Sequence, residues 1–306
     1  MDYDASVALV TIAELPRVGE RRLQRVQREA CGRGVPLADV VALDRTALAR
    51  EYGLPAPALA RLERDRFWHA AHCRALVARL AACGARICQP GEADYPSAWS
   101  TRAHPAPPVA YLYGDSVALA RPIVALLSSR GVSEQTVVAT MQVARHAALE
   151  GFALAVGGMK TTHRIAAATA RAAGAPRLVV LDRGLLAAFG GQPEFEPFGF
   201  GPGRTRFDAS ATLVLSVFRP LDHATPRSGR RRDELIAALG DVVVALSARP
   251  GGEVERICLR ALDHGQAVLS WHGDNRALLA AGALPIDEGD LQRGLERFLS
   301  HAVGAL

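Results

Sequence analysis

Cysteine is scarce in this sequence and follows no metal-binding or disulfide pattern. The 306-residue chain contains five cysteines, and none of them forms a CxxC pair. An odd number of scattered cysteines indicates neither a disulfide framework nor a zinc cage. We therefore expect buried free thiols and no metal site. The five positions are Cys31, Cys73, Cys83, Cys88 and Cys258.

Long apolar runs are also missing. No stretch reaches the roughly 18 uncharged apolar residues that suggest a membrane span, and the opening MDYDASVALV shows no signal-peptide pattern. A composition of 49% hydrophobic and 22% charged residues is typical of ordinary folded proteins and argues against disorder. These features predict a cytoplasmic protein of one large or two modest domains, without a membrane partner.

Lysine is nearly absent, although the chain is basic. Lys160 is the only lysine among 36 basic residues, so the positive charge is carried almost entirely by arginine. The arginine guanidinium can bind a phosphate through two parallel hydrogen bonds. The net charge of +5 and the isoelectric point near 9.2 are compatible with a nucleic-acid partner. The excess is mild, however, and does not by itself indicate one.

Signatures of catalysis are missing as well. The sequence contains no GxSxG, GxxxxGK[ST] or GxGxxG motif. Its nine histidines are scattered and show neither HExxH nor HxH spacing, so they are expected to be surface or capping residues. We therefore predict that the protein is not an enzyme and needs no cofactor.

The first 85 residues are predicted to form a small helical domain. Apolar residues recur from Val7 to Leu15, a Pro-Arg-Val-Gly turn follows at 16–19, and a basic helix comes next. This pattern is typical of a helix-hairpin-helix, whose turn glycine lets backbone N–H groups approach a DNA phosphate. A helical domain with a solvated basic face explains the pattern equally well, so both interpretations stay open. The basic residues of the second helix include Arg21, Arg22 and Arg25.

Residues 86–122 are rich in proline and are predicted to be a linker that packs along the next domain. From residue 123 to 306, apolar runs alternate mostly with helical patterns, which is typical of a doubly wound, mainly parallel sheet with helices on both faces. Ligands of such folds bind beyond the carboxyl ends of the strands. The predicted strands are 123–127, 152–156, 178–182, 212–216, 242–246 and 267–270.

The stretch AVGGMKTTHRIAAATARAAGAPRLVVLD, residues 155–182, illustrates the pattern. A short strand leads through two glycines to a polar turn, where Lys160 and Thr161 precede an alanine-rich helix. Backbone N–H groups and the helix dipole favour anions at such a position. Other strand ends carry similar turns, with Ser129 and Arg130 after one strand and a run of arginines at 230–232 before a later helix. Their convergence on one sheet edge indicates an anion-binding site.

In their order along the chain, several segments resemble the DprA/Smf DNA-processing protein family from end to end. They include LPRVG, YPSAW, VALLSSRGVS, the 155–182 stretch, LVLSVFRP and RRRDELIAALGDVVVALSA. The resemblance implies a helical, SAM-like N-terminal domain followed by a Rossmann-like domain. It also implies a homodimer that binds single-stranded DNA and helps load the RecA-type recombinase during natural transformation and DNA recombination.

The family's motifs match this chain residue by residue only in part. Ser129 and Arg130 match the serine and arginine of a Gly-Ser-Arg motif, Gly158 matches one glycine of the family's next turn, and Arg232 matches the first arginine of Arg-Asn-Arg. The second arginine is lost and two acids follow, while Lys160 and the arginines at 227–231 restore positive charge. The predicted DNA-binding residues are Ser129, Arg130, Gly157, Gly158, Lys160, Thr161, Arg230, Arg231 and Arg232.

Two alternative functions stay open. The segment PGGEVE resembles the PGGxGTxxE turn of lysine-decarboxylase-like nucleotide phosphoribohydrolases, in which a glutamate acts on the glycosidic bond; Glu255 would be that residue. The Gly-Thr of that turn is missing here. The second alternative is a degenerate family member that has lost DNA binding and serves as a protein-interaction scaffold.

Overall fold

A computed structural model describes residues 2–158, 160–196, 205–271, 275–291 and 293. Its N-terminal part is helical, and the apolar residues that recur with helical spacing in the sequence pack against one another. Val7, Val10, Leu23 and Val26 are all buried, which places the first two helices in a common core. The helices of this part are α1 (Tyr3–Ala13), α2 (Glu20–Gly32), α3 (Leu37–Val40), α4 (Arg45–Arg50) and α5 (Ala56–Ala82).

The remaining described residues form a mixed α/β structure around a nine-stranded sheet. The strands lie in the order β1-β2-β6-β5-β4-β3-β7-β8-β9; the pairs from β6 to β9 are parallel, and β1 and β2 are antiparallel to their neighbours. The strands are β1 (Arg86–Cys88), β2 (Ala110–Gly114), β3 (Ile123–Ser128), β4 (Ala153–Gly157), β5 (Arg177–Val180), β6 (Thr212–Ser216), β7 (Val242–Ser247), β8 (Ala267–Trp271) and β9 (Leu284–Ile286).

Helices cover both faces of this sheet. The central strands β3 to β7 are therefore buried on both sides, which explains their continuous apolar sequences. The fold class predicted from the sequence, a doubly wound and mainly parallel sheet after a helical region, is confirmed. The covering helices are α6 (Ser97–Arg102), a short 3-10 helix (Ser116–Ala120), α7 (Glu134–Leu149), α8 (Thr161–Ala172), α9 (Leu185–Phe189), α10 (Pro226–Leu239), α11 (Glu253–Asp263) and α12 (Arg276–Ala280).

The segment 86–122, predicted to be a linker, contributes two strands to the sheet. β2 pairs with β6, and β1 pairs with β2 at the edge. Between them, the fully buried Trp99 donates from its indole nitrogen to the Leu235 carbonyl at 3.0 Å. β1 and β2 flank a proline-rich stretch and pair in the antiparallel sense, so neither follows the alternation of strand and helix that revealed the central strands. The domain boundaries at 85 and 122 stay predictions.

No helix in the described part of the chain has both the length and the apolar character that crossing a bilayer requires. Three of the five cysteines are buried, as expected, whereas Cys31 is exposed and Cys83 is half-buried.

A buried ion pair closes the amino end of β5. Arg177 is 1% exposed, and its guanidinium donates to the Glu196 carboxylate at 3.0 Å and to the Thr212 hydroxyl at 2.5 Å. The Glu196 side chain is 6% exposed. Removing one member of a buried pair leaves the other charge without compensation.

Replacing Arg177 with alanine is therefore expected to lower the free energy of unfolding by about 3–5 kcal/mol, measured by urea denaturation. Arg171→Ala is the matched control, because Arg171 lies 4.0 Å from the same carboxylate with its side chain 45% exposed. We expect the control to change stability by less than about 1 kcal/mol. Equal losses in the two variants would contradict this assignment.

Candidate functional site

The topology places the predicted site at the carboxyl edge of the sheet. The chain runs outward from β3 through β4, β5 and β6, then returns to the other side of β3 for β7 and β8. The point between β3 and β7 is thus a topological switch, where doubly wound folds bind ligands. The turns after β3 and β4 lie at this edge, as does the part of α10 that carries Arg232. The turns singled out in the sequence therefore meet at one edge.

At the switch point, Ser129 and Arg130 connect the loop after β3 to the loop after β7. The Ser129 backbone donates to the Ser247 carbonyl at 2.7 Å, and its hydroxyl accepts from the Arg249 N–H at 3.0 Å. The Arg249 guanidinium donates to the Arg130 carbonyl at 2.6 Å. Ser129 therefore joins the two loops, while the side chain of Arg130 is exposed at the rim.

The turn after β4 requires glycine because other side chains approach it closely. The Gly157 N–H donates to Nδ1 of His163 at 3.0 Å. A Cβ at Gly157 would lie 2.6 Å from that nitrogen and 2.7 Å from Cδ of Arg232. Gly158 is buried beside it, whereas Thr161, the first residue of α8, is exposed. Of these predicted residues, only Thr161 has the exposure needed for direct contact with a large ligand.

Lys160 points into the protein. Its Nζ donates to the Ser128 carbonyl at 2.6 Å and to Oδ2 of Asp233 at 2.8 Å, and its side chain is 17% exposed. Burial lowers the pKa of Lys160, although the charge of Asp233 acts in the opposite direction. The amine predicted to face DNA is thus engaged in an internal ion pair.

Arg232 is paired even more completely. Its Nε and Nη2 donate to Oδ1 of Asp233 at 3.0 and 2.9 Å, and its Nη1 donates to Oδ2 of Asp182 at 2.7 Å. The Arg232 side chain is 5% exposed. Burial raises the pKa of Asp233, but the charges of Arg232 and Lys160 outweigh burial and lower that pKa below its usual value. We call Lys160, Asp182, Arg232 and Asp233 the Asp233 network.

The Asp233 network occupies the place where the sequence predicted an anion-binding site. Its two carboxylates balance the charges of Lys160 and Arg232. The sequence interpretation noted Asp233 only as one of two acids beside a lost arginine, and it missed Asp182 altogether. DNA contact by Lys160 and Arg232 stays a prediction. A Lys160→Glu variant would test folding together with DNA binding, because it places a second carboxylate beside Asp233.

Arg231 joins α10 to the N-terminal helices. Its guanidinium binds both carboxylate oxygens of Glu20 at 3.1 and 2.7 Å, lies 3.3 Å from Glu234, and donates to the Pro105 carbonyl. Burial raises the pKa of Glu20, and the Arg231 charge partly offsets that effect. A second link comes from Arg219, which donates to the carbonyls of Leu15 at 2.7 Å and Val18 at 3.2 Å. The start of α2 is thereby fixed against the start of α10.

A groove of about 1000 Å³ runs between these two helix starts. Exposed arginines come to it from both sides, from α2 and from α10. Gly19 lies at its rim with open space where a side chain would be, and both interpretations of the N-terminal helices stay open. The four exposed arginines, which define what we call the arginine groove, are Arg21, Arg22, Arg227 and Arg230.

Glu255, the glutamate of the hydrolase alternative, has a structural contact at each carboxylate oxygen. Oε1 accepts from the Gly251 N–H at 2.8 Å, and Oε2 accepts from the Asn275 amide at 2.6 Å. The residue is 7% exposed. This arrangement stabilises the turn before α11 and gives no support to a role at a glycosidic bond. Among the described residues, no three His, Cys, Asp or Glu side chains are grouped as metal ligands.

Known proteins resemble this chain in both sequence profile and fold. The family model for DNA recombination-mediator protein A matches residues 86–286. DNA processing protein A from Streptococcus pneumoniae has a similar structure, with a TM-score of 0.68 and 18% identity over 95% of this chain and 97% of that one. DNA processing protein A from Helicobacter pylori, whose structure gives insights into a unique single-stranded DNA binding mode, has a TM-score of 0.54 and 18% identity over 71% of this chain and 96% of that one. These two likenesses show the fold, and no curated protein matches the sequence.

The buried His163 is expected to make stability depend on pH. Burial lowers its pKa to about 3, whereas the unfolded chain takes up a proton near pH 6.5. The contribution of His163 to the free energy of unfolding should therefore be constant above pH 6.5. At lower pH the free energy of unfolding should decrease by up to about 1.4 kcal/mol per pH unit. Denaturant titrations of the wild type and of His163→Gln between pH 7 and 4 measure the difference.

We expect the stability difference between wild type and His163→Gln to shrink as the pH falls. His223→Gln, at an exposed position, is the control and should keep the wild-type slope. A difference that stays constant across the range would show that His163 takes up its proton in the folded protein as readily as in the unfolded chain.

Proposed function

The chain belongs to the DNA recombination-mediator protein A family, as the sequence resemblance predicted, and from this premise we propose that it binds single-stranded DNA for recombination. The observation that carries the proposal is the arginine groove, where exposed guanidinium groups from two distant parts of the sequence face one channel. Arginines arranged along a channel bind successive phosphates and release counterions.

The charges around the groove favour an anionic ligand. Three of its four acids are already paired, because Glu20 binds Arg231, Glu234 binds Arg231 and Arg260, and Glu253 lies 3.5 Å from Arg256. The fourth, Asp222, is exposed and faces four exposed arginines. No described carboxylate lies within ion-pair distance of Arg21, Arg227 or Arg230. The groove therefore presents arginines that are not paired with carboxylates of the described protein.

The exposed residues at the sheet edge extend this surface. From β6 to β7 the edge is about 19 Å wide, given the usual spacing of strands, and Arg130 and Thr161 are exposed along it. We propose that a DNA strand leaves the groove and follows this edge toward Arg130. In this proposal the edge owes its shape to Ser129, Gly157, Gly158 and the Asp233 network, and these residues do not bind phosphates directly.

Binding through phosphates suits transfer to a recombinase. Contacts to the backbone position a strand without occupying the base edges, so the bases stay available for pairing. We propose on this basis, and on family membership, that the protein assists the loading of a RecA-type recombinase onto single strands during natural transformation. Such a role needs no catalytic group in the protein itself.

Reversing charge in the arginine groove is expected to weaken binding of single-stranded DNA. Arg21→Glu with Arg230→Glu should lower the affinity roughly 10- to 100-fold near 0.1 M salt. Each lost phosphate contact should also reduce the slope of log affinity against log salt by about 0.7. Anisotropy of a labelled oligonucleotide at several salt concentrations measures both effects.

Arg121→Glu is the matched control, because Arg121 is also exposed but lies at the amino end of β3, on the opposite edge of the sheet. It should leave the salt slope unchanged. If the double variant binds like the wild type while Arg130→Glu alone abolishes binding, the DNA lies at the switch point and not in the groove. Absence of binding by the wild type would favour the scaffold alternative.

We also propose a homodimer formed through the Rossmann-like domain. On α7, Val138, Met141 and Leu149 are 48%, 49% and 69% exposed, and Leu284 on the edge strand β9 is 43% exposed. Gln142 donates to Glu288 at 2.5 Å and so holds α7 beside the segment that follows β9. Apolar residues exposed together on one side of a domain are typical of a protein interface.

Light scattering at micromolar concentration should therefore give the mass of two chains. Val138→Glu with Met141→Glu should shift the mass to one chain, because each glutamate would have to be buried in the interface. Val117→Glu is the control, since Val117 is 56% exposed on the separate 3-10 helix. A wild-type mass of one chain would exclude the dimer under these conditions.

A further inference from the structure

Two neighbouring aromatic residues on α5 are unusually exposed. Phe67 and Trp68 are 76% and 72% exposed, more than any other large hydrophobic residue in the described chain. Their ring centroids lie 5.7 Å apart, and the ring planes meet at 79°. Large apolar side chains seldom stay in water without a binding partner when they occur together. We call these two residues the aromatic pair.

The backbone that carries the aromatic pair is held on both sides. Before it, α5 is kinked at Asp65, whose backbone leaves the helical region, and the Asp65 carboxylate accepts from Arg61 at 3.0 Å and Arg64 at 2.9 Å. After it, the buried His69 ring hydrogen-bonds to the Thr11 carbonyl at 2.9 Å. The rings therefore project from a fixed backbone, which reduces the entropy lost when a ligand binds.

The surroundings of the aromatic pair are cationic. Residues 61–74 contain four arginines and two acids. Both acids are already paired, since Glu63 binds Arg45 at 2.5 Å and Asp65 binds the arginines named above. The Arg64 side chain remains 73% exposed. Rings bordered by arginine suit a ligand that offers flat apolar faces and negative charge together.

We propose that the aromatic pair is a base-stacking platform for single-stranded nucleic acid. The inference rests on the proposed DNA-binding function and extends it to a surface outside the sheet edge. Bases stack on aromatic faces whatever their identity, while nearby arginines bind the connecting phosphates.

The chain carries its own reporter for this contact. Of its three tryptophans, Trp99 is fully buried and Trp271 is 7% exposed, whereas Trp68 is open to solvent. Titration of the full chain with oligodeoxythymidine should therefore quench the Trp68 emission. Trp68→Phe should lose most of this quenching yet keep its affinity within about twofold, because a phenylalanine ring still stacks.

Phe67→Ala with Trp68→Ala should weaken binding roughly 5- to 100-fold, measured independently by anisotropy. The salt slope should stay unchanged, because no charge is removed. Val117→Ala, which removes an exposed apolar side chain elsewhere, is the control and should bind like the wild type. Both exposed positions tolerate alanine, and a thermal melt checks that the variants are folded.

Binding by anisotropy without quenching, together with unchanged affinity in the double alanine variant, would overturn the platform and leave the proposed DNA-binding function intact. Absence of oligonucleotide binding by the wild type would overturn both. A double alanine variant that changes the mass in light scattering but not the DNA affinity would identify the aromatic pair as a protein interface, which also overturns the platform.

Discussion

The carboxylate of Asp233 is the contact on which the carboxyl edge of the sheet depends. It lies between Lys160 and Arg232, two buried cations that would otherwise repel each other at close range. Through them it connects α10 to the turn after β4 and, by way of the Ser128 carbonyl, to the end of β3. Asp182 extends the connection to the end of β5. Four neighbouring elements are thus held in one arrangement by two carboxylates.

This arrangement divides the basic residues into two classes. Lys160, Arg231 and Arg232 stabilise the fold, because each is bound to carboxylates at short distance. The side chains of Arg21, Arg130 and Arg230 are exposed and form no ion pair with any described carboxylate. Charge therefore stays exposed at the rim of the edge, although Lys160 and Arg232 are bound to carboxylates in its interior. In our proposal it is this rim that contacts DNA.

The sequence predicted the parts of the fold that repeat. Alternating apolar runs and helices located the six central strands, because burial on both faces demands continuous apolar residues. It failed for β1 and β2, which flank a proline-rich stretch and pair in the antiparallel sense, and for the three-residue β9 at the other edge of the sheet. In the site, the converging turns were predictable from topology. The sequence could not show which cations are already paired with a carboxylate, because these partners are far apart along the chain. Arg232 and Asp182 are 50 residues apart, and Arg231 and Glu20 are 211 residues apart. The exposure of the aromatic pair likewise depends on how α5 packs against the other helices, which helical periodicity alone does not give.

The burial of Lys160 has a practical consequence for handling the protein. Because it is the only lysine in the chain, and its amine is held by Asp233 and a backbone carbonyl, the surface offers no lysine amine for covalent attachment. Amine-reactive dyes, crosslinkers and sensor surfaces will find almost nothing to react with on the side chains. Reagents directed at guanidinium groups will instead label the very surfaces proposed to bind DNA, and protection of those groups by an oligonucleotide becomes a direct map of the interface.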